Sequence, residues 1–160
     1  MLALDMTYGK GWMQKRFPYI EFHNVDVNQS NNPHLVIDWT KKSLPFPDES
    51  FDLIIFDPPF IPWRFQRLTG NLEECFSYWK NTEDMTIGII KAFLEIKRLL
   101  CHNGYCVAKW GNTAKSFDWF ERFFSPLELI AVEIANGKGT SFRDKTRDPR
   151  KTFLAVLRKT

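Results

Sequence analysis

The sequence predicts one doubly wound α/β domain over residues 1–160, a mostly parallel sheet of about seven strands with helices on both faces and an antiparallel last strand. Three observations predict it. Short apolar runs alternate with helix-type segments, and a helix between strands implies a crossover and parallel pairing. Four of the runs end in an aspartate, namely Asp5, Asp26, Asp38 and Asp57. Such acids converge on the carboxyl edge of an open sheet, where ligands bind. The last two runs are joined without a helical pattern, so they should pair antiparallel.

The elements follow in order. Leu2-Ala3-Leu4 is a short strand ending at Asp5. Met6-Thr7-Tyr8-Gly9-Lys10-Gly11 is a glycine turn, Trp12 to Phe17 a short helix, and Pro18 its stop. Ile20 to Val27 reads as the second strand and Leu35-Val36-Ile37 as the third, before Asp38-Trp39. Phe51 to Phe56 is a fourth, buried strand, because β-branched and aromatic residues dominate it and a turn follows. Residues 61–81 show no clean period. Thr82 can cap a helix running to about Leu100, with Ile87, Ile90, Phe93, Leu94, Ile96 and Leu99 in its apolar stripe and Asn103-Gly104 at its end. Tyr105 to Trp110 is a fifth strand, Ser116 to Phe124 a short helix, and Leu127 to Ile134 and Thr152 to Leu157 the last two strands.

Composition bounds the function. Aromatic residues make up 16% of the chain and most should be core; the net charge of +3 is compatible with nucleic acid as partner. Cys75, Cys101, Cys106, His23, His34 and His102 lack zinc-ligand spacing, so reduced thiols and no metal are expected. Charges interrupt every apolar stretch well short of the ~20 residues that span a bilayer. No signal-peptide pattern opens the chain, so a cytoplasmic protein without membrane contact is expected.

The chemistry concentrates in Asp57-Pro58-Pro59-Phe60. Two prolines end the sheet and hold the chain in a stiff extended turn. An acid, a carbonyl and a ring then stand together at a strand end, which suits a flat heteroaromatic base with an exocyclic amino group. A rigid turn is the competing reading of the tetrapeptide alone. Gly9-Lys10-Gly11 lets backbone approach a ligand, yet Gln14 stands where a dinucleotide fingerprint has its third glycine. An acid at position 5 repels phosphate and attracts an ammonium, while an acid ending strand two commonly bonds a ribose. An ammonium, a ribose and an adenine without phosphate describe S-adenosylmethionine.

Taken together, Asp5-Met6-Thr7-Tyr8-Gly9-Lys10-Gly11 and Asp57-Pro58-Pro59-Phe60 resemble the nucleic-acid amino-methyltransferases, and the resemblance runs from about Leu2 to Leu157. It implies a Rossmann-like sheet of order 3-2-1-4-5-7-6 and methyl transfer from S-adenosylmethionine to an exocyclic amino nitrogen. The target is first DNA adenine N6 or cytosine N4; a tRNA or rRNA base is the alternative. A non-catalytic nucleic-acid-binding subunit is the alternative of another class. The resemblance implies that Asp5, Thr7, Tyr8, Gly9 and Gly11 hold the methionine part, Asp26 the ribose, and Asp38 the adenine amino group, with Trp39 against its ring. Trp39 fits core equally well. Asp57 and the Pro58 carbonyl, beside Pro59, would hold the target amino group, and Phe60 would stack on the flipped base.

Two departures from the family stand out. The chain starts at about its first strand, so the helix many members carry upstream is expected to be missing. No large insert follows Gly11 or Asp57, so no separate target-recognition domain is expected. Target choice then falls to the 61–81 segment with Trp63, Arg64 and Arg67, to the basic 135–151 loop with Arg143 and Arg147, or to a partner protein. A solvated face explains the basic loop equally well, and core explains about half of the 61–81 aromatics. Gly137-Lys138-Gly139-Thr140 lacks the upstream glycine spacing of a phosphate loop.

Overall fold

The computed structural model describes residues 1–59, 79–112, 115–135 and 152–160. One sheet holds β1 (Ala3–Asp5), β2 (Phe22–Asp26), β3 (Leu35–Val36), β4 (Phe51–Phe56), β5 (Leu100–Gly111), β6 (Glu128–Ala135) and β7 (Thr152–Arg158). Their spatial order is 3-2-1-4-5-7-6, as the resemblance implies. β1 to β5 pair in parallel among themselves. β7 runs antiparallel to both β5 and β6.

Alternation along the strands divides the core into two layers. Leu4, Val25, Ile54, Phe56, Cys106 and Ala108 belong to the larger one. Two helices cover it, α1 (Thr82–Leu99) and α2 (Phe117–Glu121). Phe93 of α1 meets Phe56 and Phe120 edge-on or tilted, and Phe120 stacks on Trp110 at 4.4 Å. Each such ring removed from water contributes roughly 1.5–3 kcal/mol before the entropy of ordering it. The smaller layer joins Ala3, Phe22, Leu53 and Ile55 beneath Met13, Phe17 and Ile20. Here the helix expected over 12–17 shrinks to one 3-10 turn, Gln14–Arg16. Gly11 at φ +65° just before it and Pro18 just after it leave room for a single turn.

α1 departs from its expectation in three ways. The Asn81 side chain, not Thr82, caps it by accepting the Asp84 N–H at 2.8 Å. The inner face is Met85, Gly88, Ile89, Ala92, Phe93, Ile96 and Leu99, whereas Ile87, Ile90 and Leu94 are exposed. Small residues explain this: a Cβ built on Gly88 would lie 2.2 Å from the Trp79 ring, so only glycine lets the helix approach that indole. The helix also stops at Leu99, and β5 starts at Leu100. Asn103-Gly104 therefore lies inside β5, where Asn103 takes φ +63°, rather than at a helix end. Strand bounds otherwise match expectation to within a few residues, apart from β5, which starts five residues early. No helix among the described residues is long and apolar enough to cross a membrane.

Candidate active site

The parallel pairing of β1 with β2 and β4 brings three strand ends side by side. Asp5 and Asp26 are the last residues of β1 and β2, and Asp57 follows β4 directly. Asp38 follows β3 two residues on, at the same edge. The four acids expected at one edge are therefore together.

Asp5 is buried. Its Oδ1 accepts the Thr7 N–H at 3.1 Å and its Oδ2 accepts Gln14 Nε2 at 3.1 Å. Burial pushes its carboxyl up to about 7; the hydrogen bonds from Thr7 and Gln14 oppose this, and the charges of Asp57 and Asp26 reinforce it. Gln14, which the sequence shows only as a missing glycine, thus orients the buried acid. Its amide also bonds the Asn24 side chain.

Asp26 ties the glycine turn to the end of β2. Its Oδ2 accepts the Gly9 N–H at 2.7 Å and Asn31 Nδ2 at 3.0 Å, and its Oδ1 accepts the Asn28 N–H at 2.7 Å. A carboxylate has about four lone-pair sites, so these three bonds leave room for one more donor. Gly9 and Gly11 have φ +53° and +65°, a region costly for other residues. The Gly11 N–H bonds the Tyr8 carbonyl at 2.8 Å, and the Tyr8 N–H bonds the Val25 carbonyl at 3.0 Å. A Cβ on Gly11 would meet the Tyr8 ring at 2.9 Å. The turn spends these N–H groups on the chain itself, which is not how a pyrophosphate cradle is built.

Asp38 accepts from the Thr40 N–H at 3.0 Å, the Thr40 hydroxyl at 2.5 Å and Lys41 Nζ at 2.7 Å. Burial raises its carboxyl, but the Lys41 and Thr40 hydrogen bonds outweigh that and hold it below the ordinary range. Trp39 is partly buried, edge-on to Phe56 at 5.8 Å and Trp79 at 6.1 Å. Its packing role is therefore present in the fold.

At the proline turn the Asp57 N–H donates to the Thr7 hydroxyl at 2.6 Å. Thr7 thereby touches two acids, Asp5 through its N–H and Asp57 through its side chain. Lys109 of β5 places Nζ 2.7 Å from Asp57 Oδ2. Burial pushes the Asp57 carboxyl up, and the charges of Lys109 and Arg16 pull it back part of the way. Pro58 is buried, and the Pro59 carbonyl accepts the Trp79 indole N–H. Among the described residues no donor reaches Asp57 Oδ1 or the Pro58 carbonyl.

Lys109 was not singled out from sequence, although one signal was there. It is the one charge in Tyr105–Trp110, an otherwise apolar run. Phe56 pairs with Ala108, so strand order sets Lys109 beside Asp57. Asp38 and Asp57 are ion-paired, whereas Asp5 and Asp26 have no ion pair among the described residues. Along the sheet edge, two carboxylates without an ion pair among the described residues, Asp26 and Asp5, thus lie between two ion-paired ones, Asp38 and Asp57. Phe60, Trp63, Arg64, Arg67, Arg143 and Arg147 lie outside the described residues.

No family model matches the chain, and no curated protein matches it. Solved structures do. The N-methyltransferase NodS from Bradyrhizobium japonicum WM9, in complex with S-adenosyl-L-homocysteine, matches with a TM-score of 0.60 at 15% identity, over 98% of this chain and 76% of that one. A TehB-like SAM-dependent methyltransferase from Corynebacterium glutamicum ATCC 13032 Kitasato matches with 0.59 at 19% identity, over 99% and 79%. The [4+2]-cyclase SpnF matches with 0.62 at 14% identity, over 98% and 74%. The chain therefore has the fold of SAM-dependent methyltransferases. A cyclase shares that fold, so activity has to be argued from the site.

Proposed function

We propose that this chain transfers a methyl group from S-adenosylmethionine to an exocyclic amino nitrogen of a nucleic-acid base, with DNA adenine N6 or cytosine N4 as the first candidates. The observation that carries the reading is a pair of acceptors, Asp57 Oδ1 and the Pro58 carbonyl, that no donor reaches among the described residues, one strand away from the buried Asp5, which has no ion pair among them.

The residues at the β1 and β2 ends fit the cofactor. A buried carboxylate without an ion pair suits the α-ammonium of its methionine part, and Asp26 retains an acceptor site for a ribose hydroxyl. On this reading Asp38 and Trp39 hold its adenine. Bound there, S-adenosylmethionine supplies an electrophilic methyl group.

The chain's own groups act on the acceptor. An aromatic amine is a poor nucleophile because its lone pair is delocalised into the ring. Asp57 Oδ1 and the Pro58 carbonyl accept its two N–H bonds and draw the nitrogen toward a tetrahedral shape, which localises the lone pair. The prolines keep those acceptors fixed, so positioning supplies much of the effect. Phe60 stacks on the base, which leaves a duplex at a cost of a few kcal/mol and a single strand at less.

Two measurements test this. Calorimetric titration with S-adenosylmethionine separates an enzyme from a cofactor-free binding subunit. Labelled cofactor is then incubated with unmethylated duplex DNA, single-stranded DNA, tRNA and rRNA, followed by nucleoside mass spectrometry. N6-methyladenine or N4-methylcytosine in DNA is the expected product. Label confined to RNA would move the target to the alternative class, and no cofactor binding would sink the enzyme reading.

A further inference from the structure

We propose that Lys109 is the positioning residue that keeps Asp57 an acceptor: its ammonium holds one carboxylate oxygen and leaves the other, with the Pro58 carbonyl, to the target amino group. The inference deepens the function proposed above and rests on it.

The argument starts from what the amino group requires. Its two hydrogens need acceptors, and its lone pair must stay free. A protonated Asp57 would present an O–H, a donor that competes for that lone pair. Asp57 therefore works only when ionised, yet its surroundings favour the proton. Its side chain is mostly shielded from water at the end of β4, and that burial raises its carboxyl.

Among the described residues two cations oppose this. Arg16, from the 3-10 turn before β2, acts on Asp57 at longer range without an ion pair to it among the described residues. Lys109, from β5, is the cation in contact, with Nζ 2.7 Å from Oδ2 and both side chains mostly shielded from water. An ammonium is a compact point charge that can hold a single oxygen. An arginine fork would tend to take both. The contact takes Oδ2, and no donor among the described residues reaches Oδ1. Such a compensated carboxylate is also a weak base. Asp57 thus accepts hydrogen bonds from the amino group, and the proton that the methylated nitrogen sheds goes to water.

The test is a carbon-13 titration of the aspartate carboxyls, with Asp57→Asn assigning the Asp57 signal. In Lys109→Met the Asp57 midpoint should rise by at least about one pH unit, while Lys109→Arg should keep it near the wild-type position. Lys109→Gln carries the same titration if the methionine variant does not fold, with S-adenosylmethionine binding as the check on folding. Methyl transfer to unmethylated plasmid DNA and to total RNA is then followed against pH. The acid limb for Lys109→Met should move up with the titration, with the rate recovering at high pH. An unmoved midpoint, or a lowered plateau with an unmoved limb, overturns the role of Lys109. A wild-type protein that binds no cofactor and methylates neither probe overturns the proposed function instead, whatever the titration shows.

Discussion

Asp5 and Asp57 sit at the ends of adjacent strands, and both have carboxyls pushed up by burial. Their partners differ. Asp57 meets Lys109 at 2.7 Å, whereas Asp5 has, among the described residues, only the neutral donors Thr7 and Gln14. A buried carboxylate with its own cation is finished as a charge and can serve as a fixed acceptor. One without a cation is unfinished, and a cationic ligand completes it. The comparison separates a place where the protein holds a group still from a place where it waits for one.

The largest effect expected is at the finished site. Asp57→Ala removes an acceptor needed as the amino nitrogen turns tetrahedral, and single-turnover methyl transfer should fall on the order of 100-fold or more. Cofactor affinity in calorimetry should stay the same, since the lesion lies on the target side. Wild-type transfer at saturating cofactor would end the amino-methyltransferase reading.

Next comes the unfinished site. A hydrogen bond to a charged group is worth about 1.5–3 kcal/mol, so Asp5→Ala should weaken S-adenosylmethionine binding ~10–100-fold. Asp5→Asn keeps acceptor and shape but not charge, and should lose nearly as much if the ammonium is what the site awaits. Wild-type affinity in both variants would mean that the cofactor lies elsewhere.

The same acid sets a pH dependence, and its sign follows from the raised carboxyl. The folded protein holds the Asp5 proton up to about 7, far above the ordinary value, so this group's contribution to stability is fully present at acid pH. That contribution is lost as pH rises toward about 7. Cofactor binding runs the other way, because an ammonium selects the ionised form. Affinity should therefore climb by up to about tenfold per pH unit below neutrality and flatten above it. Calorimetry in buffers of different ionisation enthalpy should register proton release on binding near neutral pH. An affinity independent of pH between about 5.5 and about 8.5 would contradict it.

The smallest effect is at the link between the two acids. Thr7→Val removes the hydroxyl that accepts the Asp57 N–H and leaves that donor unpartnered, at a cost of about 1–3 kcal/mol in urea unfolding. Thr7→Ser should restore most of it. An unchanged unfolding free energy in the valine variant would show that the Thr7 hydroxyl is dispensable to the turn.

Much of this was legible in the chain itself. Apolar runs ending in acids place Asp5, Asp26, Asp38 and Asp57 at strand ends, because alternation and turn chemistry are local properties. The positive φ of Gly9 and Gly11 and the stiffness of Pro58-Pro59 are local as well, so the two halves of the candidate site could be read before any contact was known. What the tertiary structure alone decided is every partnership across strands. Lys109 becomes the counter-ion of Asp57 only because β5 lies beside β4, and Gln14 becomes the donor to Asp5 only because one short turn folds back over β1. The inner face of α1 holds Phe93, Ile96 and Leu99 of the expected stripe, and differs in the rest for the same reason. Side-chain size favoured Ile87, Ile90 and Leu94, but the place of Trp79 required Gly88 on the inner face. Local sequence carries backbone preference and hydropathy; charge pairing and close approach depend on which distant residues arrive, and only the packed chain determines that.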